Sequence, residues 1–370
     1  TALASEIEAV RRFVSEQFAS IAFRDSEEVV QPSEYAELWS ARAGRSEWLR
    51  AFEARQFADA EGVAEAIAAF AALPSTKRTD SIAAKRLRQF IPTLLRLLAE
   101  RADAASVLRR VLGIIDKVLR RSAYLALLNE NRVVLERLLE LCATSAYLAR
   151  EVARFPALLD ELIDARAYES LPGAEEFRAD LAARLSAVDP DDSEQQVEAL
   201  AEFKRATVFR LAVADFNGLI PVMQVSDRLT DIAELTLSHA LFLARRDLVA
   251  RTGEPRYRLD GRSYTADMGV VAYGKLGGIE LSYGSDLDIV FLHDSRGEQQ
   301  QTNSPKPVDN NVFFGRLARR LVHFLTTQTK SGTLYEIDTR LRPSGRSGLL
   351  VTSIDAFERY QEENAWTWEH

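Results

Sequence analysis

Glycine is distributed very unevenly along the 370 residues of this chain. Of its 17 glycines, five precede residue 250 and twelve lie between residues 251 and 370. Glycine loses more backbone freedom in a helix than any other residue, so the glycine-poor part of the chain favours helix. Turns and close backbone approaches need glycine and are concentrated in the last third. The candidate chemistry should therefore lie there.

Apolar residues in the glycine-poor part recur at spacings of three and four, as on one face of a helix. Two such stripes are Val107, Leu108, Val111, Leu112, Ile115, Val118 and Leu119, and then Leu135, Leu138, Leu139 and Cys142. Cys142 lies on a stripe, which predicts a core residue and not a nucleophile. The pattern also predicts a short helix opening at Pro156, a long helix closing near Asn217-Gly218, and another over residues 225–250.

Charge and composition limit the classes of partner. The formal net charge of −8 disfavours sequence-independent binding of nucleic acid over a broad surface. A single cysteine and four dispersed histidines predict neither a disulfide nor a structural zinc site. The single cysteine fits a reducing, cytoplasmic location. No apolar run is long enough to span a membrane, so we expect a soluble protein. The chain lacks an initiator Met and stops abruptly, so we expect a piece of a longer protein.

After residue 253 the pattern becomes strand-like. Gly269-Val-Val-Ala-Tyr273 and Leu287-Asp-Ile-Val-Phe-Leu292 predict two central strands. Residues 295–310 are polar and predict a mobile loop, either a plain connection or a substrate lid. A helix with Phe314, Leu317, Ala318, Leu321, Phe324 and Leu325 on one face follows, ending at Lys330-Ser331-Gly332. Residues 334–341 predict a third strand. The fold class is α+β, predominantly helical.

The candidate chemistry begins with Asp286 and Asp288. Strand alternation sends both carboxylates to one face and Leu287 and Ile289 to the other. Adjacent carboxylates at the end of an apolar strand need a cation, and oxygen ligands of this kind suit Mg²⁺. An isolated Asp-x-Asp is usually a solvated strand edge or a turn, so the interpretation depends on what surrounds it.

Two groups of residues surround the pair. Upstream, Gly277 and Gly278 would let backbone N–H groups approach a phosphate, or would form an ordinary turn. Lys275 and Ser285 could reach the same ligand or lie at the surface.

Downstream, the strand predicted over residues 334–341 presents Glu336, Asp338, Arg340 and Arg342 on one face. Asp338 would complete a three-carboxylate metal site beside phosphate-binding cations, although the face could also simply be hydrated. The loop after Pro343, which carries Arg346, could bring further groups to the ligand.

This arrangement fits metal-assisted nucleotidyl transfer to a hydroxyl. The chain has no Gly-x4-Gly-Lys-Ser/Thr segment, no Gly-x-Gly-x-x-Gly after a strand, and no evident Ser/His/Asp triad. His293 and His323 lack partners at ligand spacing, so we interpret both as structural.

These motifs resemble those of the glutamine synthetase adenylyltransferase family. The matching segments are Tyr273-Gly-Lys-Leu-Gly-Gly278, Ser285-Asp-Leu-Asp288, Asp338-Thr-Arg-Leu-Arg-Pro-Ser-Gly345 and Trp366-Thr-Trp-Glu-His370. The resemblance is dense over residues 265–370, looser through Val225-Ser-Asp-Arg-Leu-Thr230 and Arg121-Ser-Ala-Tyr124, and fades before about residue 100. It implies a DNA polymerase β-like nucleotidyltransferase domain over residues 190–370, with a core at about 265–348. Residues 1–189 would form a mainly helical region.

The resemblance also implies an activity. Family members carry two related halves: one moves AMP from ATP to a tyrosine of glutamine synthetase, and the other removes it by phosphorolysis, which regulates nitrogen assimilation. The sequence of residues 343–370 resembles that of the adenylylating half. The resemblance places Mg²⁺ or Mn²⁺ on Asp286, Asp288 and Asp338. Our own hypothesis adds that the ATP phosphates lie between Gly277-Gly278 and Arg340/Arg342. The resemblance implies regulation of the whole enzyme by glutamine and the PII signal protein. The alternatives are the adenylyl-removing half and a non-catalytic helical docking scaffold.

Overall fold

The computed structural model describes residues 34–163 and 173–365. The first 33 residues and the motif at residues 366–370 therefore lie outside the description. The chain forms two compact units that divide between residues 163 and 164. The architecture is mostly helical with small sheets, as expected for α+β. None of the helices in the described stretches combines the length and the apolarity needed to cross a bilayer.

The first unit is helical throughout its described residues. Its helices are α1 (Glu34–Ser40), α2 (Arg45–Ala54), α3 (Ala60–Ala72), α4 (Pro74–Lys77), α5 (Ser81–Leu98), α6 (Ala104–Val118), α7 (Ser122–Glu130), α8 (Arg132–Thr144) and α9 (Ala146–Arg154). Side-chain caps set several of the helix starts: Asp80 accepts from the N–H of Ala83 and Asn131 from that of Val134. Both predicted stripes are buried, and Cys142 is fully buried as predicted.

The segment that opens at Pro156 differs from its prediction. Residues Pro156–Leu162 form a 3₁₀-helix, and Ile163, which directly follows it, is 47% exposed. Proline suits the first helical position because its missing N–H would have no intrahelical acceptor there. The tighter 3₁₀ turn rotates side chains by 120° per residue, so Ile163 does not continue the α-helical stripe.

Three helices open the described part of the second unit: α10 (Ala174–Ser186), α11 (Ser193–Phe216) and α12 (Val222–Thr252). Asp192 caps α11 by accepting from the N–H groups of Glu194 and Gln195. Helix α11 ends before Asn217-Gly218 as predicted, and α12 is a few residues longer than predicted at each end. The predicted domain boundary at 189/190 falls between α10 and α11, whereas α10 packs Phe177 and Leu181 into the core of the second unit.

The remaining described residues, from 253 to 365, build two small sheets. In the first, β1 (Pro255–Leu259) lies between β2 (Arg262–Thr265) and β5 (Glu298–Thr302), all antiparallel. Strand β5 lies in the stretch predicted as a mobile loop, and that prediction was wrong for these residues. Strand β5 contains only polar side chains, so the sequence there lacks the alternation of apolar and polar residues that predicts a strand. Its backbone is instead ordered by pairing with β1.

The second sheet is the one that carries the candidate site. Strand β4 (Leu287–His293) is central, with β3 (Met268–Ala272) antiparallel on one side. On its other side β4 pairs in parallel with β6 (Ile337–Asp338) and then with β7 (Val351–Ser353). The prediction that β3 is also central was wrong: it is an edge strand, and Val271 is 37% exposed.

Helices complete the second sheet. The one-turn helix α13 (Gly274–Gly277) follows β3, α14 (Asn310–Thr326) packs on β4, and α15 (Ile354–Glu363) follows β7. All six residues of the apolar stripe predicted for α14 are buried. The helix ends at Thr326, however, and not at Lys330-Ser331-Gly332. Gly332 instead closes a tight turn with Thr329 at a φ of 94°, a backbone region that glycine enters without strain.

Candidate active site

Two of the predicted carboxylates lie at the start of β4. Asp286 directly precedes the strand and is exposed, while Asp288 is half-buried within it. Leu287 and Ile289, which alternate with them, are fully buried against the helices. The predicted division of faces is therefore confirmed, and the buried leucine and isoleucine hold both carboxylates on the opposite side of the sheet.

The third predicted carboxylate lies on the neighbouring strand. In the parallel pairing of β4 with β6, Asp288 is the register partner of Asp338, and Leu287 is that of Ile337. The N–H of Leu287 donates to the carbonyl of Glu336 at 2.9 Å, which secures this register. Register partners in adjacent strands direct their side chains to the same face. Asp286, Asp288 and Asp338 therefore share one face of the sheet, near the start of β4.

The electrostatics of the two register partners differ. Burial raises the pKa of the Asp288 carboxyl, and the negative charges of Asp286 and Asp338 raise it further, against smaller opposing effects of Arg340 and Lys275. A hydrogen bond from Arg340 holds the pKa of Asp338 below its usual range. Asp288 is thus the carboxylate for which a nearby cation would be most favourable.

The donor set is suited to a hard divalent cation, which takes carboxylate oxygens. As arranged, no cluster of three or more His, Cys, Asp or Glu side chains in the described residues has metal-holding geometry. Asp338 is occupied by Arg340, whose Nε donates to Oδ2 at 2.6 Å and whose backbone N–H donates to Oδ1 at 2.8 Å. The residues fit such an ion in chemistry, and Asp338 would exchange its arginine contact for it.

The glycine turn upstream of the pair is the one-turn helix α13. The N–H groups of Gly277 and Gly278 donate to the carbonyls of Tyr273 and Gly274, at 3.0 and 2.9 Å. Both predicted phosphate donors are thus engaged inside the turn. A Cβ on Gly277 would lie 2.7 Å from the carbonyl oxygen of Ala272, so the turn requires glycine there for its own closure.

Gly274 is a site residue that the sequence reasoning missed. It has a φ of 55°, and a Cβ there would lie 2.2 Å from Oδ2 of Asp288. The carboxylate therefore lies directly against the glycine backbone. The available signal was a glycine immediately after an apolar strand, a common site of close approach.

Lys275 and Ser285 are placed differently from each other. Lys275 is exposed on α13, and its charge acts on Asp288. Ser285 is engaged in its own turn: its Oγ accepts from the N–H of Ser282 at 3.1 Å and contacts the Ser282 hydroxyl at 2.9 Å. The structure thus leaves Lys275 near the carboxylates and gives Ser285 a role in shaping the loop before Asp286.

The arginines predicted along one strand lie in a loop. Strand β6 comprises only Ile337–Asp338, so the prediction of a strand over residues 334–341 was wrong on both sides of it, at 334–336 and after Asp338. Arg340 turns back onto Asp338, a local side-chain-to-backbone arrangement that competes with strand pairing. Arg342 donates from Nη1 to the carbonyl and the hydroxyl of Thr339 at 2.7 and 3.0 Å, and from Nη2 to the carbonyl of Arg346.

A second unpredicted contact anchors the loop before Asp286. The Tyr283 hydroxyl donates to Oδ2 of Asp215 at 3.0 Å, and its ring stacks on Phe216 with 6.5 Å between centroids. Both partners lie at the end of α11. The loop that delivers Asp286 is therefore tied to a long helix, a connection that no local sequence pattern indicates.

His293 and His323, which the sequence analysis interpreted as structural, lie outside the candidate site. His293 is buried, stacks on Phe314 at 4.8 Å and contacts Asn311, and burial lowers its pKa. His323 lies near the end of α14 and contacts Thr327. Both environments are those of structural residues.

Comparison with known proteins relates this site to a family. The family model for glutamate-ammonia ligase adenylyltransferase matches residues 135–370. A bifunctional glutamine synthetase adenylyltransferase/adenylyl-removing enzyme of Thioalkalivibrio sulfidiphilus is 50% identical over 286 residues, which are 77% of this chain and 30% of the relative.

Relatives with the same description match more of the chain. That of Pseudomonas putida is 45% identical over 93% of this chain and 35% of its own length. That of Hahella chejuensis is 42% identical over 99% of this chain and 38% of its own length. The chain thus spans about a third of the relatives it matches. Its own match to the family model covers well over half of its residues, and the chain belongs to the glutamate-ammonia ligase adenylyltransferase family.

Proposed function

We propose that the second unit transfers AMP from ATP to a tyrosine hydroxyl of glutamine synthetase and releases pyrophosphate. The observation that carries the proposal is the register of β4 and β6, which brings Asp286, Asp288 and Asp338 to one face. The printed names of the relatives supply the acceptor, since the carboxylates alone would serve other hydroxyl acceptors equally well. In the same proposal, the second sheet is the core of a DNA polymerase β-like domain.

Asp286, Asp288 and Asp338 would hold Mg²⁺ or Mn²⁺. Such an ion, when bound, neutralises charge on a triphosphate and lowers the pKa of an attacking hydroxyl. Lys275 is the exposed cation beside the carboxylates and would contact a phosphate, as would Arg340 once Asp338 has released it. Arg342 supports the loop that presents Arg340. Gly277 and Gly278 contribute by closing the turn that sets Gly274 against Asp288.

The transfer conserves atoms and charge as follows. The tyrosine oxygen forms a bond to the α-phosphorus of ATP, and the bond from that phosphorus to the β-bridging oxygen breaks. Pyrophosphate leaves with the electron pair, and the tyrosine proton passes to a base or to water. A hydrogen bond from Arg340 holds the pKa of Asp338 low before the ion binds, and a cation that replaced Arg340 would also favour the ionised carboxylate. We therefore assign Asp338 as a ligand and not as the base.

The chain's place in a larger enzyme is part of the same proposal. Since it spans about a third of its relatives, a second nucleotidyltransferase half would lie elsewhere in the whole protein. Regulation of that whole enzyme by glutamine and the PII signal protein, and a cytoplasmic location, complete the proposal. It includes neither nucleic acid nor a membrane as a partner.

An AMP-transfer assay tests the site. Unmodified glutamine synthetase is incubated with the chain, Mg²⁺ and ATP labelled in its α-phosphate. Asp286→Asn, Asp288→Asn and Asp338→Asn are each expected to lower labelling by about 100-fold or more, because each removes a proposed metal ligand. Asp260→Asn removes an equal charge from the exposed β1–β2 turn and should leave labelling unchanged. Full labelling by the three variants would contradict the proposed site.

The direction of transfer is tested separately. Adenylylated glutamine synthetase and inorganic phosphate are supplied without ATP, and release of ADP is followed. The proposal expects no release, because the chain is assigned to the adenylylating half. Release of ADP would assign it to the adenylyl-removing half. A chain that neither transfers AMP nor binds ATP in the presence of Mg²⁺ would be a docking scaffold.

The metal can be tested without activity. Because the folded state raises the pKa of Asp288, its ionised form at neutral pH costs stability. Asp288→Asn should therefore raise Tm by roughly 1–4 °C in EDTA. Added Mg²⁺ should raise the Tm of the wild-type chain and leave that of Asp288→Asn nearly unchanged. An equal response of both proteins to Mg²⁺ would place the ion elsewhere.

A further inference from the structure

A cavity of ≈ 520 Å³ opens in the first unit, among residues of α1 to α5 and of the turns that join α1 to α2 and α4 to α5. Its volume lies within the range of small-molecule sites, which are mostly apolar with a few polar groups. All of its lining residues lie between positions 38 and 88, so the cavity belongs to the first unit alone. Neither the family's motifs nor the proposed transfer site uses it.

The charges around the cavity have one sign. Arg42, Lys77 and Arg88 line it, and no Asp or Glu does. Within the described ranges none of these three side chains makes an ion pair, whereas Arg45 and Arg101 in the same unit pair with Glu61 and Asp103. Unpaired cations gathered around one concave site create a potential that attracts an anion.

The rest of the lining is mostly aliphatic, with two tryptophans and three hydroxyl-bearing residues among it. Trp39 stacks on Phe70 with 6.1 Å between centroids and is partly exposed, and Trp48, which also lines the cavity, is buried. The Thr76 hydroxyl is buried, and no described group forms a hydrogen bond with it. An unpaired buried hydroxyl costs free energy that a ligand atom could recover. A flat apolar surface, a free hydroxyl and three cations thus meet in one cavity.

We propose that this cavity binds a small organic anion with a flat, apolar body. Its anionic group lies among Arg42, Lys77 and Arg88 and accepts from the Thr76 hydroxyl, while its body rests on the Trp39 indole. Carboxylates and phosphates share this chemistry. The proposal is independent of the transfer reaction, because its residues lie outside the second unit.

Isothermal titration calorimetry on the whole chain tests the proposal. The probes are phenyl phosphate and benzoate, which distinguish a phosphate site from a carboxylate site, and benzyl alcohol as the neutral match. At least one anion should bind with a Kd below about 1 mM, and benzyl alcohol at least tenfold more weakly. Failure of both anions to bind, or equal binding of benzyl alcohol, would overturn the proposal.

Variants locate the binding. Lys77→Gln combined with Arg88→Gln should weaken the bound anion by roughly tenfold or more, since each cation supplies a charge-assisted contact. Lys85→Gln and Arg50→Gln are matched controls, because both residues are exposed cations of the same unit that do not line the cavity. All four positions are exposed, so the variants should fold, and circular dichroism confirms it. Equal weakening by the control pair would show general charge attraction and overturn the site.

Discussion

Gly274 and Asp288 contact each other more closely than any side chain at position 274 would permit. The glycine φ of 55° and the 2.2 Å from its ideal Cβ to the Asp288 Oδ2 impose two separate demands. The first is backbone strain, which any non-glycine residue at a positive φ would experience. The second is steric, and it acts on the carboxylate at the centre of the proposed metal site.

Gly274→Ala should lower both stability and AMP transfer. The left-handed backbone costs about 1–2 kcal/mol for alanine, and the new Cβ forces Asp288 to move. Gly261→Ala is the matched control, because Gly261 also has a positive φ but nothing lies within 4 Å of its ideal Cβ. Thermal unfolding should show a loss for both variants, larger for Gly274→Ala, and labelled-ATP transfer should show a loss for Gly274→Ala alone. Loss of transfer in both variants would show that the loss of activity does not come from the contact between Gly274 and Asp288.

Helices α10 and α11 are joined by a partly buried carboxylate. Asp180 of α10 accepts from Nε of Arg184 at 2.8 Å and from Nη2 of Arg210 on α11 at 2.6 Å. Burial by itself would raise the pKa of Asp180, but the two arginines outweigh it and bring the pKa below its usual value. The ionised carboxylate therefore stabilises the fold.

The stabilisation by Asp180 should depend on pH. A lowered folded-state pKa gives stability that is present above the unfolded pKa of about 4 and is lost as pH falls through the lower folded value. Asp180→Asn should cost about 1–2 kcal/mol at pH 7, and this difference from wild type should shrink toward pH 3. Thermal unfolding at several pH values measures it.

A surface pair on the same helix provides the control. Glu175 pairs with Arg178, and its side chain is 89% exposed against 25% for Asp180. Glu175→Gln should change stability by less than about 0.5 kcal/mol. A pH-independent loss for Asp180→Asn, or an equal loss for both variants, would contradict the electrostatic link between the helices.

The division of the whole molecule can be tested with two fragments. Residues 173–370 retain α10, whose Phe177 and Leu181 are buried in the core of the second unit, and residues 190–370 lack it. Burial of two large apolar side chains contributes about 3–6 kcal/mol. The longer fragment should unfold cooperatively, and the shorter should unfold at a lower temperature and denaturant concentration. Equal midpoints would favour the predicted boundary at 189/190 over one that precedes α10.

The helices and the division of strand faces could be predicted because they depend on neighbouring residues. The stripe from Phe314 to Leu325 and the core position of Cys142 follow from a period of 3.6, and the shared face of Asp286 and Asp288 from a period of two. Strand β5 could not be predicted in this way, because its polar residues show no alternation and its order comes from β1.

The candidate site was predictable in its residue types and only partly in its arrangement. The sequence by itself determined which carboxylates, glycines and arginines form the candidate site, apart from Gly274, since motif spacing is local. The tertiary structure decided that β6 pairs with β4, that Gly274 faces Asp288, and that Arg340 turns back onto Asp338. The physical reason is that pairing between distant segments depends on how the two strands pack over a shared core, which local periodicity does not encode.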